Sequence, residues 1–204
     1  MGRTTRFGRL VRAGALDGLT ERGWSALEAH GVRTVVDLRE EDERGVDLAP
    51  RPASVTTVHV PLDGRADRAF WDAWESGPQF GTPLYYRPHL ERMPERSVAV
   101  LRAIADAREG GVAYHCGAGR DRAGQVTMLL LALAGVEPEE IVGDYLLSTS
   151  DDDAVLAAYL AEQGTSAGEV LRRTLSELDV PGTLAAAGLA SAEADRLRAR
   201  LLDR

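Results

Sequence analysis

The sequence predicts an α/β domain with a mostly parallel central sheet flanked by helices. Two segments, Val32 to Leu38 and Val55 to Val60, are rich in β-branched residues and read as buried strands. A third, Val112 to His115, is short and follows the breaker Gly110-Gly111. Segments with helix signals alternate with these strands, as crossovers between parallel strands do.

The elements follow in order. Thr20 caps a helix that ends at Gly31. Between Gly64 and Glu95 the pattern gives way to Phe70, Trp71, Trp74, Gly77-Pro78, Pro83, Tyr85, Tyr86 and Pro88. That stretch is too aromatic for a disordered linker and too irregular for one helix, so a folded, lid-like surface insertion over 64–96 is predicted. Ser97 caps the next helix, which carries Val98, Leu101, Ala105 and Arg108 along one side. Met128 to Leu133 reads as core helix. From 137 to 204 the chain is predicted mainly helical, with Pro138 at a first helical position ahead of Glu139 and Glu140, and segments near 151–163, 167–179 and 191–203. Asp151-Asp152-Asp153 reads as a helix N-terminal charge cluster, and Glu193 to Arg204 as a solvated amphipathic helix.

Composition narrows the function. With 204 residues, 44% hydrophobic and 27% charged, the chain can bury a core, and one domain over 1–204 is expected. A net charge of −8 offers no basic footprint for nonspecific hold on nucleic acid or anionic lipid. Nucleic acid is therefore not expected as a partner. All 24 basic residues are Arg, which reads as coding bias and warns against over-reading any one of them. The single Cys rules out an intramolecular disulfide, and His30, His59, His89 and His115 are too dispersed for a short metal motif. No metal and no cofactor are expected. The longest apolar stretch, Val126 to Val136, is about half of a membrane span. The first residues carry spread charges with no apolar leader core, and Arg6 breaks the myristoylation pattern. A soluble protein of a reducing compartment, the cytoplasm, is the expectation.

The informative segment runs from Val112 to Gly124, where a strand enters a small-residue loop and then an apolar helix. Gly117, Ala118 and Gly119 let successive backbone N–H groups turn inward around one point, and the helix aims its positive dipole end there. Cys116 enters this anion cradle first. Aligned amides, a helix N-terminus and a guanidinium each favour its thiolate. Arg122, six residues on, has the planar fork that holds two phosphoryl oxygens. A lone Cys is otherwise a small buried hydrophobe. The chance of His before Cys, Gly three after and Arg six after is, however, only about 2 in 10,000 per Cys at this composition.

His115-Cys116-Gly-Ala-Gly-Arg-Asp-Arg122 resembles the Cys-x5-Arg loop of protein tyrosine phosphatases, and more narrowly the bacterial tyrosine/serine phosphatases whose loop reads H-C-x-A-G-K-D-R-T-G. Weaker matches fall in family order at Leu10 to Ala15, Gly31 to Arg39, Val60-Pro-Leu62 and Asp144 to Ser148. The resemblance implies a phosphatase-like fold and metal-free hydrolysis of phosphate monoesters through a phosphocysteine. It implies phosphorylated protein or phosphoinositide as substrate, with phosphate or another oxyanion in a loop that includes Ala123 and Gly124. Secretion without a classical leader, known in the family, stays open. Two positions depart from the family pattern: Arg120 stands for Lys, and Ala123 for a Thr whose hydroxyl can bond the Cys sulfur. The second departure puts the second chemical step in question and leaves a rival reading, a catalytically weak phospho-ligand binding module. A sulfurtransferase of the rhodanese kind is disfavoured by loop length.

A general acid is required. Asp121, inside the loop, is the first choice, with a loop-shaping role as its alternative. Asp63, at a strand end, is second, and Trp71-Asp72 third. Asp37 and Arg39 close a strand whose carboxyl end faces the ligand side, either supporting the site near Arg120 or forming an ordinary ion pair. His115 is expected to orient Cys116. The aromatic residues of 70–86 suit either an insertion core or the wall of a pocket for a phosphoaryl ring.

Overall fold

The computed structural model describes residues 5–148 and 152–202. Among these, β1 (Leu10–Ala13), β2 (Val32–Asp37), β3 (Thr56–His59) and β4 (Gly111–His115) form one all-parallel sheet in the order β1-β4-β2-β3. The three strands read from the sequence are all present. Leu38 and Val60 lie just past their strands but still donate to His115 and Asp37 carbonyls. β1 was not anticipated, because four half-buried residues with Arg12 among them give no apolar run.

Helix α1 (Glu21–Ala29) starts where expected, with the Thr20 side chain accepting from the Gly23 amide. Its Trp24 packs with Val32, Val35 and Ala113 on one sheet face. The other face, with Val36, Val112 and Tyr114, is covered by α4 (Pro94–Ala105) and α5 (Asp121–Leu133). Ser97 does not cap α4. Pro94 opens that helix three residues earlier, its fixed φ suiting the first position, and Ser97 is buried within it, accepting from Gln125 Nε2 at 3.3 Å. α4 also ends at Ala105, so Arg108 lies outside it.

The predicted insertion is folded, with one side exposed and the other reaching into the core. It comprises α2 (Arg68–Trp74), 3-10 turns at Pro78–Gly81 and Pro83–Tyr85, and α3 (Tyr86–Arg92). Trp71, Tyr85, Tyr86 and Leu90 join the main core. Burying each such side chain contributes roughly 2–3 kcal/mol, which fastens the segment to the sheet layer.

The remaining helices are α6 (Pro138–Leu146), α7 (Asp153–Glu162), α8 (Ala167–Glu177), α9 (Val180–Ala186) and α10 (Ser191–Leu201). Short α9, carrying Pro181 and Gly182, was missed. α10 buries Ala194, Leu197 and Leu201, and Thr5 bridges to Leu202, joining the two ends of the described chain. Asp152 and Asp153 begin α7 as expected; Asp151, Asp203 and Arg204 lie outside the described residues. No helix among the described residues is long and apolar enough to cross a membrane.

Candidate active site

β4 delivers Cys116 to the carboxyl edge of the sheet, where the segments after β2 and β3 also emerge. Cys116 is buried, while Gly117 and Ala118 are exposed at the loop mouth. Gly119 has φ +75, and a β-carbon there would lie 2.5 Å from Ala13 C and Gly14 N, so only glycine closes the loop against β1. Its amide donates to Cys116 Sγ at 3.3 Å. Ala15 N–H donates to the Gly117 carbonyl at 2.7 Å, bracing the loop from the β1 side. Arg120 occupies the N-cap of α5, so the helix N-terminus directly follows the cradle.

Arg122 is buried and turned beside the loop, 3.9 Å from where a Gly117 β-carbon would stand. Glu43, in a 3-10 turn at Glu41–Glu43 after β2, holds it with two bonds of 2.5 and 2.7 Å. Asp63 Oδ2 adds an ion pair at 3.4 Å. Burial opposes the guanidinium charge, but these carboxylates outweigh it and keep Arg122 cationic. Burial likewise raises Glu43, yet the Arg122 bonds dominate and its carboxyl lies below the ordinary range.

Two acids flank Arg122. Asp63 is 1% exposed and neither carboxyl oxygen has a hydrogen bond among the described residues; burial pushes it up to about 6 against the pull of Arg122 and Arg65. Asp121, the first residue of α5, is half-buried with Oδ1 unbonded, and burial pushes it up to about 7 despite Arg120 and Arg122. Groups held near neutrality in a cleft are suited to proton transfer. Asp72 is elsewhere: it is exposed and paired with Arg68.

The Asp37 carboxylate takes Arg39 Nε at 3.0 Å and Nη2 at 2.8 Å, and Arg39 also grips Asp17. This buried cluster supports His115, whose Nε2 lies 3.6 Å from Asp37 Oδ2, and not Arg120 as the sequence reading allowed. His115 is fully buried, which lowers its pKa and keeps it neutral; its Nδ1 lies 3.3 Å from the Cys116 carbonyl oxygen, so it touches the backbone of Cys116 and not the thiol. Arg120 pairs with Asp153 and sits over the Tyr145 ring at 5.9 Å. It borders a cavity of about 550 Å³ lined by Tyr145 and Leu146 of α6, Leu160 of α7 and Gly168 and Arg172 of α8, with none of the aromatic residues of 70–86 in its wall.

Ala123 is fully buried, and the Thr127 hydroxyl donates to its carbonyl at 2.8 Å while meeting Tyr114 Oη at 2.7 Å. Thr127 is thus engaged away from the sulfur. Gly124 lets Tyr86 approach α5, since a β-carbon there would stand 2.9 Å from the Tyr86 oxygen, and that hydroxyl donates to the Asp121 carbonyl at 2.6 Å.

Sequence reasoning missed Glu43, Asp17 and the inner roles of Tyr86 and His89. His89, held neutral by burial at about 4, has Nε2 at 3.3 Å from the Asp63 carbonyl and Nδ1 at 3.1 Å from Gln125 Nε2. Trp71 Nε1 donates to the same Asp63 carbonyl at 3.0 Å. The aromatic segment therefore fixes the backbone of both acids. Its concentration of rings between Phe70 and Tyr86 was the one signal pointing to it.

Over residues 1–203 the chain matches the tyrosine phosphatase family. It is 33% identical over 165 residues to a tyrosine-protein phosphatase of Nostoc commune, covering 76% of this chain and 56% of that protein. It is 30% identical over 186 residues to a triple specificity protein phosphatase of Mycobacterium tuberculosis, covering 77% of this chain and 66% of that protein. The chain thus spans a little over half to two thirds of the length of these relatives. Strand, loop and helix in this order, with the match along nearly every residue, place the chain in the tyrosine phosphatase family.

Proposed function

We propose that the chain hydrolyses phosphate monoesters, without metal, through a phosphocysteine on Cys116. The observation that supports this most is the buried Cys116 Sγ receiving the Gly119 amide within a glycine-closed loop, with the Arg122 guanidinium fixed beside it. In the first step Sγ bonds to phosphorus as the ester P–O bond breaks, and Asp121 gives its proton to the leaving oxygen. Loop amides and Arg122 hold the equatorial oxygens as charge develops on them. In the second step water attacks phosphorus, the P–S bond breaks, the thiolate departs and Asp121 takes back a proton. Gly117, Ala118, Gly119, Arg120, Ala123 and Gly124 form the binding loop, while His115, Asp37 and Asp63 support it.

The substrate class we favour is phosphorylated protein, phosphotyrosine first, with phosphoserine, phosphothreonine or phosphoinositide as further candidates. The Mycobacterium relative is named a triple specificity protein phosphatase, which supports testing more than one substrate class. A second reading, a phospho-ligand binder with weak turnover, is favoured by Ala123 and by the engagement of Thr127 elsewhere. The experiment is hydrolysis of p-nitrophenyl phosphate, phosphopeptides and phosphoinositides with chelator present. Parent turnover that vanishes in Cys116→Ser, with vanadate binding retained, is the expected result. Binding without turnover in the parent supports the second reading, and turnover in Cys116→Ser refutes the first.

A further inference from the structure

Arg39 is 2% exposed, too deep to touch a substrate, yet its guanidinium is gripped on two edges at once. Nε and Nη2 donate to Asp37 Oδ1 and Oδ2 at 3.0 and 2.8 Å, while Nη1 and Nη2 donate to Asp17 Oδ2 and Oδ1 at 2.5 and 2.9 Å. The two carboxylates stand on opposite sides of β4, which runs between β1 and β2. Asp37 ends β2 in register with His115, and the Leu38 amide donates to the His115 carbonyl at 2.9 Å. Asp17 lies in the segment after β1 that braces the cradle, where the Ala15 amide holds the Gly117 carbonyl. One side chain therefore ties together both flanks of the strand that delivers Cys116.

The same clamp reaches Arg122. Past Arg39, whose carbonyl oxygen lies 2.7 Å from His59 Nε2, the main chain enters the turn Glu41–Glu43. Beyond that turn the Gly45 amide donates to Asp17 Oδ2 at 3.4 Å, and the Leu48 amide donates to the Asp17 carbonyl at 2.7 Å. The segment carrying Glu43 is thus anchored at one end on Arg39 and at the other on Asp17, and Glu43 holds the Arg122 fork. A planar guanidinium can bridge two carboxylates in this way, whereas an ammonium cannot. We propose that Arg39, anchored on Asp17, is a positioning residue that sets the spacing between the Cys116 sulfur and the Arg122 guanidinium. This rests on the phosphocysteine reading, in which both groups must meet one phosphoryl group.

Arg39→Lys keeps the charge and loses the double grip. Turnover of p-nitrophenyl phosphate per folded molecule is expected to fall about 10- to 100-fold, the scale of a small misplacement at the reacting atoms. KM should stay within about twofold of the parent, because the cradle still binds the dianion. Vanadate, bonding to Sγ in the five-coordinate geometry of the transition state, needs Sγ and Arg122 in place together. Inorganic phosphate needs only the charge and amides of the cradle, so the ratio of vanadate to phosphate affinity should fall along with kcat. A role in stability alone lowers the folded fraction and leaves that ratio unmoved. Asp17→Asn leaves the buried Arg39–Asp37 pair intact and should move kcat and the ratio in the same direction by a smaller factor. Arg51 lies 3.8 Å from Asp17, but its bonds go to Asp47 and Thr57, so Arg51→Lys should leave both as in the parent. Parent-like kcat in Asp17→Asn, a fall in kcat with the ratio unmoved, or an equal effect of Arg51→Lys overturns the proposal. Activity surviving in Cys116→Ser instead overturns the phosphocysteine reading; loss in Cys116→Ser with parent-like Arg39→Lys and Asp17→Asn overturns only the role of Arg39.

Discussion

Arg122 and Glu43 meet fork to fork, Nη1 at 2.5 Å from Oε2 and Nη2 at 2.7 Å from Oε1, although 79 positions separate them in the chain. The pair is partly buried, so removing one member strands a charge. Glu43→Ala is expected to leave Arg122 with Asp63 alone at 3.4 Å, to lower kcat/KM about 10-fold or more, and to destabilise by about 2–3 kcal/mol. Steady-state kinetics and denaturant titration check this, and a variant matching the parent in both would show that Arg122 is positioned by the loop alone.

Asp121→Asn should slow phenyl phosphate far more than p-nitrophenyl phosphate. The acid must be protonated to act, so kcat/KM should decline as pH rises through about 7, the value burial gives Asp121, and that limb should disappear in the variant. If Asp63→Asn shows both effects and Asp121→Asn neither, the acid is Asp63.

Asp63 also makes stability depend on pH. Its folded value, about 6, is above the unfolded one near 3.8, so its contribution is fully present below pH 3.8 and is lost as pH rises through 6. The shift corresponds to about 3 kcal/mol. Relative to the parent, Asp63→Asn should gain about that much between pH 3.5 and pH 7 in urea melts; parallel profiles would mean that water reaches the carboxylate.

Ala123→Thr tests the absent hydroxyl. A bond to the leaving thiolate is worth about 1.5–3 kcal/mol, or about 10- to 100-fold in rate. Rapid mixing of the parent with p-nitrophenyl phosphate should give a burst near one equivalent of nitrophenol, then slow turnover. The variant should turn over faster with a smaller burst. No burst and no gain would make the substitution silent, and because Ala123 is fully buried, its melting temperature must be compared as well.

What the sequence disclosed tracks how local each cause is. The Cys116–Arg122 loop is contiguous, its strand is apolar and its helix is long, so its chemistry was readable. Thr20 announced α1 through a bond three residues away. Ser97 misled because a side chain able to cap is equally able to accept from Gln125 inside the core, and only Pro94 marked the true start. Asp121, Asp63 and Asp37 were visible as acids, but what distinguishes them is environment: Arg39 bonds Asp37, while Asp63 has no bonded donor. Glu43 matters through a contact between distant segments, which no local pattern encodes.

The central claim is a phosphoryl group on the Cys116 sulfur. Acid quenching during turnover of p-nitrophenyl phosphate, followed by mass spectrometry of the peptides, tests it most directly. One phosphate is expected on the peptide carrying Cys116, most abundant in the parent and reduced in Ala123→Thr, and absent from Cys116→Ser. Continued turnover with no modified Cys116 at any quench time, or phosphate found on another residue, would contradict it.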